Sequence, residues 1–297
     1  MAPEIPSLLL AVVAIVCTIL LLGITKLRRN SKGIQSFPKD VVLLHHCGKG
    51  PYVPSLSPFI IKLETFLKMA GIPYQVWSVG DAHSSVAGDP DSYVAEIVRD
   101  YKLGPKGKVP WMEYNGKAMG DSQLCMEYLT EELNVDIDDH LSTTERAIGT
   151  SFQRMVDEHT YWLMVHWRWA FDNKKCLKQA NWGLLALSVA KYIQKRATYT
   201  QGVGRHTKPE LMNILRKDFR ALSNFLGTKK YFFGDKVSSV DCSIFAQLSQ
   251  FLWHLPESEP NIMLKDEFSN LCDYCERMKS ALWKDWNDNV LFPAKDT

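Results

Sequence analysis

Residues 107–122 read GKVPWMEYNGKAMGDS, and this stretch decides the fold. Val109 to Asn115 (VPWMEYN) is β-branched, aromatic and apolar, as a buried strand requires. Asn115-Gly116 is a two-residue hairpin turn signal, and Lys117 to Asp121 (KAMGD) is the short returning strand. Ser122 then opens SQLCMEYLTEEL, an amphipathic helix. Going back along the chain, Pro73 to Val79 (PYQVWSV) reads as another strand. Before it, FIIKLETFLKMAG has helical spacing and stops at Gly71. Val41 to Cys47 (VVLLHHC) reads as a buried first strand. It is separated from that helix by GKGPYVPSLSP, a loop dense in Gly, Pro and Ser. Residues 92–103 (SYVAEIVRDYKL) supply a helix between the second and third strands.

The order is therefore β-α-β-α-β-β-α, an α/β thioredoxin-like topology with a parallel pair, a hairpin and a closing helix. From about Asp136 the pattern is helical nearly throughout, with runs at 144–171, 210–227, 239–255 and 267–283. A thioredoxin-like domain over 40–135 followed by an all-α domain over 136–290 is the architecture of glutathione transferases. At the N-terminus, Ile5 to Thr25 carries no charge. As a helix it is roughly 31 Å long, close to the roughly 30 Å of a bilayer core. The positive cluster Lys26, Arg28, Arg29 and Lys32 follows it, and the leading residues MAPE include an acid, which disfavours a cleaved signal peptide. The expectation is a transmembrane anchor at 5–25, a linker at 26–39, and a single-pass protein whose body faces the cytoplasm.

Composition narrows the rest. The chain has 297 residues and a formal net charge of +2, which argues against nucleic acid as a partner. Seven cysteines, odd in number and scattered, form no secreted disulfide framework and suit a reducing compartment.

Three motifs carry the glutathione-transferase resemblance. Lys108-Val109-Pro110 enters the third strand, where that fold places a cis-proline. The resemblance implies that the Val109 backbone pairs with the cysteinyl part of glutathione, as an added strand would. Asp121-Ser122 opens the next helix, whose N-terminus suits a carboxylate. The resemblance implies that this is glutathione's γ-glutamyl carboxylate, with Asp121 on its ammonium group. Gly234 to Asp241 contains Ser238-x-x-Asp241, a capping box that serves folding. Within that fold the chain resembles the failed axon connections family, related to cadmium-responsive nematode proteins and to metaxins. The matching residues include Val53 to Phe59, Gly107 to Asn115, Glu145-Arg146-Ala147, Glu158-His159, Tyr161-Trp162, Gly202 to Arg205, Lys229-Lys230-Tyr231 and Tyr274 to Arg277.

The reactive position of thioredoxin-like enzymes lies just before the first helix, and here it holds Ser57-Pro58-Phe59. A serine cannot exchange disulfides. Ser57 is either a catalytic donor to the glutathione thiolate or an N-cap with Pro58 at the first helical position. Ser55 and Tyr52 are the other hydroxyls in reach. Cys47 lies early for a redox thiol, and Cys272-x-x-Cys275 falls within a helix, so buried free thiols are expected. His45-His46-Cys47 has no spaced partner group to form a metal site. The aromatic stretch His159 to Phe171 is either core or the wall of an apolar co-substrate pocket. Three functions stay open. The family resemblance implies a non-enzymatic adaptor in axonal development or stress response. The retained motifs suit an active transferase with glutathione as co-substrate and no bound cofactor. The kinship with metaxins implies a membrane translocation component. A homodimer is implied by analogy with transferases.

Overall fold

The computed structural model describes residues 39–78, 104–172 and 184–293. Lys39–Thr297 forms one compact unit, with a sheet half and a helical half. Strand β1 (Val42–His46) is buried along its whole length because it lies inside the sheet. The strand order is β2-β1-β3-β4, with β2 at Tyr74–Ser78, β3 at Trp111–Tyr114 and β4 at Lys117–Gly120. β1 pairs parallel with β2 and antiparallel with β3, which pairs antiparallel with β4. Asn115 (φ 46°) and Gly116 (φ 84°) both take the left-handed backbone that a tight two-residue hairpin needs. The thioredoxin-like pairing expected from the hydrophobic pattern is thus present.

Helix α1 (Pro58–Ala70) connects the parallel pair and ends at Gly71, whose φ of 64° turns its N–H back onto Leu67 and Lys68. Its unusually apolar sequence has a physical cause: it is covered on two sides. Leu63, Phe66 and Leu67 pack with Val42, Leu44 and Met112 of the sheet. Ile61, with Val53 and Leu56 from the preceding loop, joins the core of the helical half. Helix α2 (Ser122–Glu132) buries Cys125, Met126 and Leu129 against the same sheet.

In the helical half, α3 (Thr143–Met155) opens on a Ser142–Glu145 capping box. The helical path then continues through a π-turn at Val156–Thr160, an α segment at Tyr161–His166 and a second π-turn at Trp167–Phe171. α4 (Leu184–Gln201), α5 (Lys208–Leu226) and α6 (Ser239–Ser249) follow, and α6 runs into a third π-turn at Gln250–His254. α7 (Glu259–Glu267) and α8 (Ser269–Leu282) close the half. The Ser238–Asp241 capping box is wholly buried, and Asp241 also accepts from Phe232 N and Tyr274 Oη.

The expected membrane topology is corrected here. Among the described residues no helix is long and apolar enough to cross a membrane. Residues 5–25, on which the single-pass anchor and the membrane as a partner rested, lie outside the described residues, as does the helix expected at 92–103.

Candidate functional site

Strand register brings the sequence motifs to one end of the sheet. His45 of β1 lies opposite Trp111 of β3, and Trp111 lies opposite Gly120 of β4. Three segments therefore leave the sheet at the same end. They are the loop after β1 that leads to Ser57, the Val109–Pro110 entry to β3, and Asp121-Ser122 after β4. The Val109–Pro110 peptide is cis. Pro110 is buried, Val109 is half-buried and Lys108 is exposed. Trp111 is fixed behind this turn by the His45 ring stacked on it at 3.4 Å, and His45 Nε2 lies 2.9 Å from Glu113 Oε1. Gly104 lies so close to Trp111 that a Cβ there would sit 2.2 Å from its ring, so only glycine fits.

Asp121 takes φ 84°, ψ 121°, a backbone that L side chains rarely adopt, and its Oδ1 accepts from Gln123 N (2.9 Å) and Leu124 N (3.2 Å). It is therefore an N-cap, and its second oxygen makes no hydrogen bond among the described residues. Ser122 is 5% exposed at the first position of α2, and its hydroxyl likewise has no partner among the described residues. This end of α2 presents a hydroxyl and the positive pole of a helix at the sheet end where the cis-peptide lies.

Ser57 stands at the N-cap of α1, but its hydroxyl makes no capping hydrogen bond. Its carbonyl accepts the first helical hydrogen bonds, from Ile60 N (3.2 Å) and Ile61 N (3.4 Å), as an N-cap carbonyl ordinarily does. Its own N–H donates to Ser55 Oγ at 3.2 Å. Ser57 is half-buried, so the hydroxyl is both uncommitted and reachable. Ser55 is wholly buried, with Cys47 Sγ 3.6 Å from its Oγ, and is thus committed to the loop. Tyr52 is tilted against Phe292 at 6.0 Å. Burial pushes the Cys47 thiol up, with Ser55 and Arg168 pulling the other way, so it is not an activated thiolate. Burial holds His46 down to about 4, with Lys49 acting in the same direction. Cys272 is pushed up to about 11 by burial and Cys275 well above its usual range, which fits inert core thiols.

The aromatic stretch divides. Leu163, Met164, Val165, Trp167 and Trp169 are buried core. Tyr161 and Trp162 are half-buried, and Tyr161 packs on Phe59 with ring centroids 4.8 Å apart, two residues from Ser57. His159 pairs with Asp218 at 2.9 Å, not with its neighbour Glu158, and that hydrogen bond holds its pKa up.

Sequence reading missed the residues under the Ser57 loop. Arg168, 6% exposed, donates Nη1 to Leu56 O (3.0 Å) and Nη2 to Gln250 Oε1 (2.7 Å). Gln250 donates Nε2 to Ser55 O at 3.1 Å. The available signal was a lone arginine inside an otherwise aromatic run. An open groove of about 650 Å³ between α5 and α7 shares no residue with the site. Across it Lys208 pairs with Glu259 and Arg216 with Glu267. Among the described residues no group of three His, Cys, Asp or Glu side chains could hold a metal.

Comparison with known proteins agrees with this architecture. A glutathione S-transferase N-terminal domain family matches residues 92–175, and a glutathione S-transferase C-terminal domain family matches residues 215–278. The chain is 27% identical over 277 residues to Failed axon connections of Drosophila melanogaster, covering 85% of this chain and 60% of that protein. It is 27% identical over 253 residues to isoprene-epoxide–glutathione S-transferase of Rhodococcus sp. (strain AD45), covering 76% and 93%. It is 23% identical over 274 residues to Metaxin-1 of Homo sapiens, covering 84% and 53%. The chain thus spans little more than half of two of these relatives. Among solved structures, beta-etherase LigF from Sphingobium sp. strain SYK-6 superposes with a TM-score of 0.54 at 18% identity, covering 80% of this chain and 95% of that one. That likeness concerns the fold.

Proposed function

We propose that this chain, a relative of Failed axon connections and of the metaxins on a glutathione-transferase fold, binds glutathione at the sheet end where Ser57, Val109–Pro110 and Asp121-Ser122 meet. The observation that carries this reading is the Ser57 hydroxyl: it sits at the N-terminus of α1, half-buried, with no cap to make. A serine serving only as an N-cap would spend that hydroxyl on the helix. Val109 offers its backbone to the cysteinyl unit, beside the exposed Lys108. Ser122 and the positive end of α2 take the γ-glutamyl carboxylate, and the open oxygen of Asp121 takes the ammonium group. Ser57 donates its hydroxyl proton in a hydrogen bond to the glutathione sulfur. With the α1 dipole, that bond favours the thiolate, the form that attacks an electrophile. Tyr161, Trp162 and Phe59 form an aromatic wall for an apolar electrophile next to that sulfur. Isothermal titration calorimetry of the full chain with millimolar glutathione is expected to give saturable heat that disappears in Asp121→Ala/Ser122→Ala. No heat from the unaltered chain would refute the reading.

A second reading, an adaptor in axonal development or stress response, is favoured by a different feature. The outer face of α4 exposes Val189 (52%), Tyr192 (67%), Ile193 (54%) and Tyr199 (59%), an aromatic-rich patch of the kind that anchors protein partners. The two readings use different surfaces, so glutathione binding does not exclude it. A chain that binds no glutathione and loses a partner on Tyr192→Ser/Tyr199→Ser would be an adaptor alone.

A further inference from the structure

The loop carrying Ser57 is held from beneath by the helical half, through residues far away in sequence. Arg168 reaches the Leu56 carbonyl, Gln250 reaches the Ser55 carbonyl, and the two side chains bond to each other at 2.7 Å. The Ser57 N–H is fixed by the Ser55 hydroxyl. Thus both carbonyls before Ser57 and its own N–H are held, while its hydroxyl is left open. The planar guanidinium suits this task, because one rigid fork serves two acceptors in different directions, which an ammonium cannot do as well. Both side chains are nearly or wholly buried, so water does not substitute for either bond.

A second observation is independent of these bonds. Arg168 and Gln250 each lie in a π-turn, at Trp167–Phe171 and Gln250–His254. A π-turn inserts one residue into a helix and rotates the following side chains, and such turns occur frequently at functional sites. The third π-turn, Val156–Thr160, carries Asp157, which grips Lys62 of α1 at 2.6 Å. Each of the three π-turns among the described residues therefore contributes a side chain that holds α1 or the loop leading into it.

We infer that Arg168 and Gln250 are positioning residues for the Ser57 hydroxyl, a two-pronged clamp by which the helical half sets the group that meets the thiolate. The inference rests on the glutathione reading for its chemistry but not for its test. The guanidinium also places a positive charge below the site. Its influence reaches Cys47 and Tyr161, where it pulls against the upward push of burial, and His254, where it adds to the downward push of burial. The other titratable group facing Tyr161 is Glu158, of opposite sign.

The test introduces a reporter at the site itself. In the full chain, Ser57→Cys places a thiol where the hydroxyl stands. Its pKa is read from the pH dependence of iodoacetamide alkylation, followed by mass spectrometry of the peptide that contains position 57, so that native cysteines do not interfere. The introduced thiol is expected to titrate below the usual value of about 8.5. Adding Arg168→Met or Gln250→Met is expected to raise that midpoint by about one unit, a roughly tenfold loss of thiolate at fixed pH below it. Arg168→Lys keeps the charge but not the fork and should recover only part of the shift. A role confined to stability would lower the melting temperature and leave the midpoint in place. An unchanged midpoint in both methionine variants overturns the clamp. Should Arg168→Met fail to fold, Gln250→Met, which removes no charge, decides alone. Because no glutathione is present in this experiment, failure of the glutathione reading in calorimetry and failure of the clamp here are separate results.

Discussion

Removing the charge from Asp157 should loosen the joint between the two halves. Lys62 is 1% exposed on α1, and its Nζ lies 2.6 Å from Asp157 Oδ2 in the first π-turn. Gln153 Nε2 donates to the same oxygen at 2.7 Å, while Asp157 Oδ1 has no hydrogen-bond partner among the described residues. Asp157→Asn keeps the shape but leaves a buried ammonium facing a neutral amide. Breaking a buried pair from one side costs roughly 3–5 kcal/mol, because the remaining charge has lost both water and its partner. The open Oδ1 places this pair at the lower end, about 3 kcal/mol. For a unit of this size each kcal/mol lowers the melting temperature by roughly 2–4 °C, so the drop should be roughly 6–12 °C. Thermal unfolding followed by circular dichroism at neutral pH measures it. Lys62→Met/Asp157→Leu removes both charges and should recover most of the loss, since an apolar pair of similar volume requires no desolvation of ions. A single-variant loss under about 1 kcal/mol, or a double variant no better than the single one, would refute the view that a desolvated ion pair joins the halves there.

Three further outcomes are expected. Ser57→Ala should change stability by less than about 0.5 kcal/mol in urea denaturation, because the hydroxyl makes no cap bond, whereas loss of a working N-cap typically costs about 1 kcal/mol. Asp121→Gly should be more stable than Asp121→Ala by about 1 kcal/mol, since glycine accepts the positive φ that alanine resists, and differential scanning fluorimetry would rank them. Glu64, whose carboxyl burial pushes up to about 7 despite the hydrogen bond from Tyr74, supplies a pH test. Its folded pKa lies above the unfolded value of about 4.3, so its contribution is intact below that pH and is lost as pH rises through 7. Relative to Glu64→Gln, the unaltered chain should lose on the order of 3 kcal/mol between pH 4.5 and 8 in urea titrations, and parallel profiles would contradict it.

The legible parts of the site were those set by local pattern. Asn115-Gly116 fixed the hairpin, the hairpin fixed which end of β3 carries Pro110, and the helix signal at Ser122 fixed the Asp121-Ser122 motif near it. Ser57 could be placed at a helix start from Ser-Pro-Phe, but not the fate of its hydroxyl. In the structure its N–H donates to the Ser55 hydroxyl, its carbonyl accepts the first helical bonds, and its own hydroxyl caps nothing. The stretch 144–171 read as one helix, and it is helical, but two π-turns interrupt it. A one-residue insertion shifts the helical phase within a single turn, too short a window for the hydrophobic period to register it. The N-terminal apolar run prompted an anchor from length and charge alone; the described helices include no span of that kind.

By itself the sequence determined where the strands fall along the chain, the hairpin, the starts of α1, α2 and α6, and the largely helical character of the second half. Each is a matter of neighbours within a few residues, where backbone sterics and periodicity act. Only the tertiary structure decided what surrounds Ser57. Arg168 and Gln250 stand 112 and 195 residues from the carbonyls they hold, and Asp157 stands 95 from Lys62. Such pairs form because α1 is buried between two cores, where a polar group without a partner is costly. That requirement acts through space and leaves no local pattern in the chain.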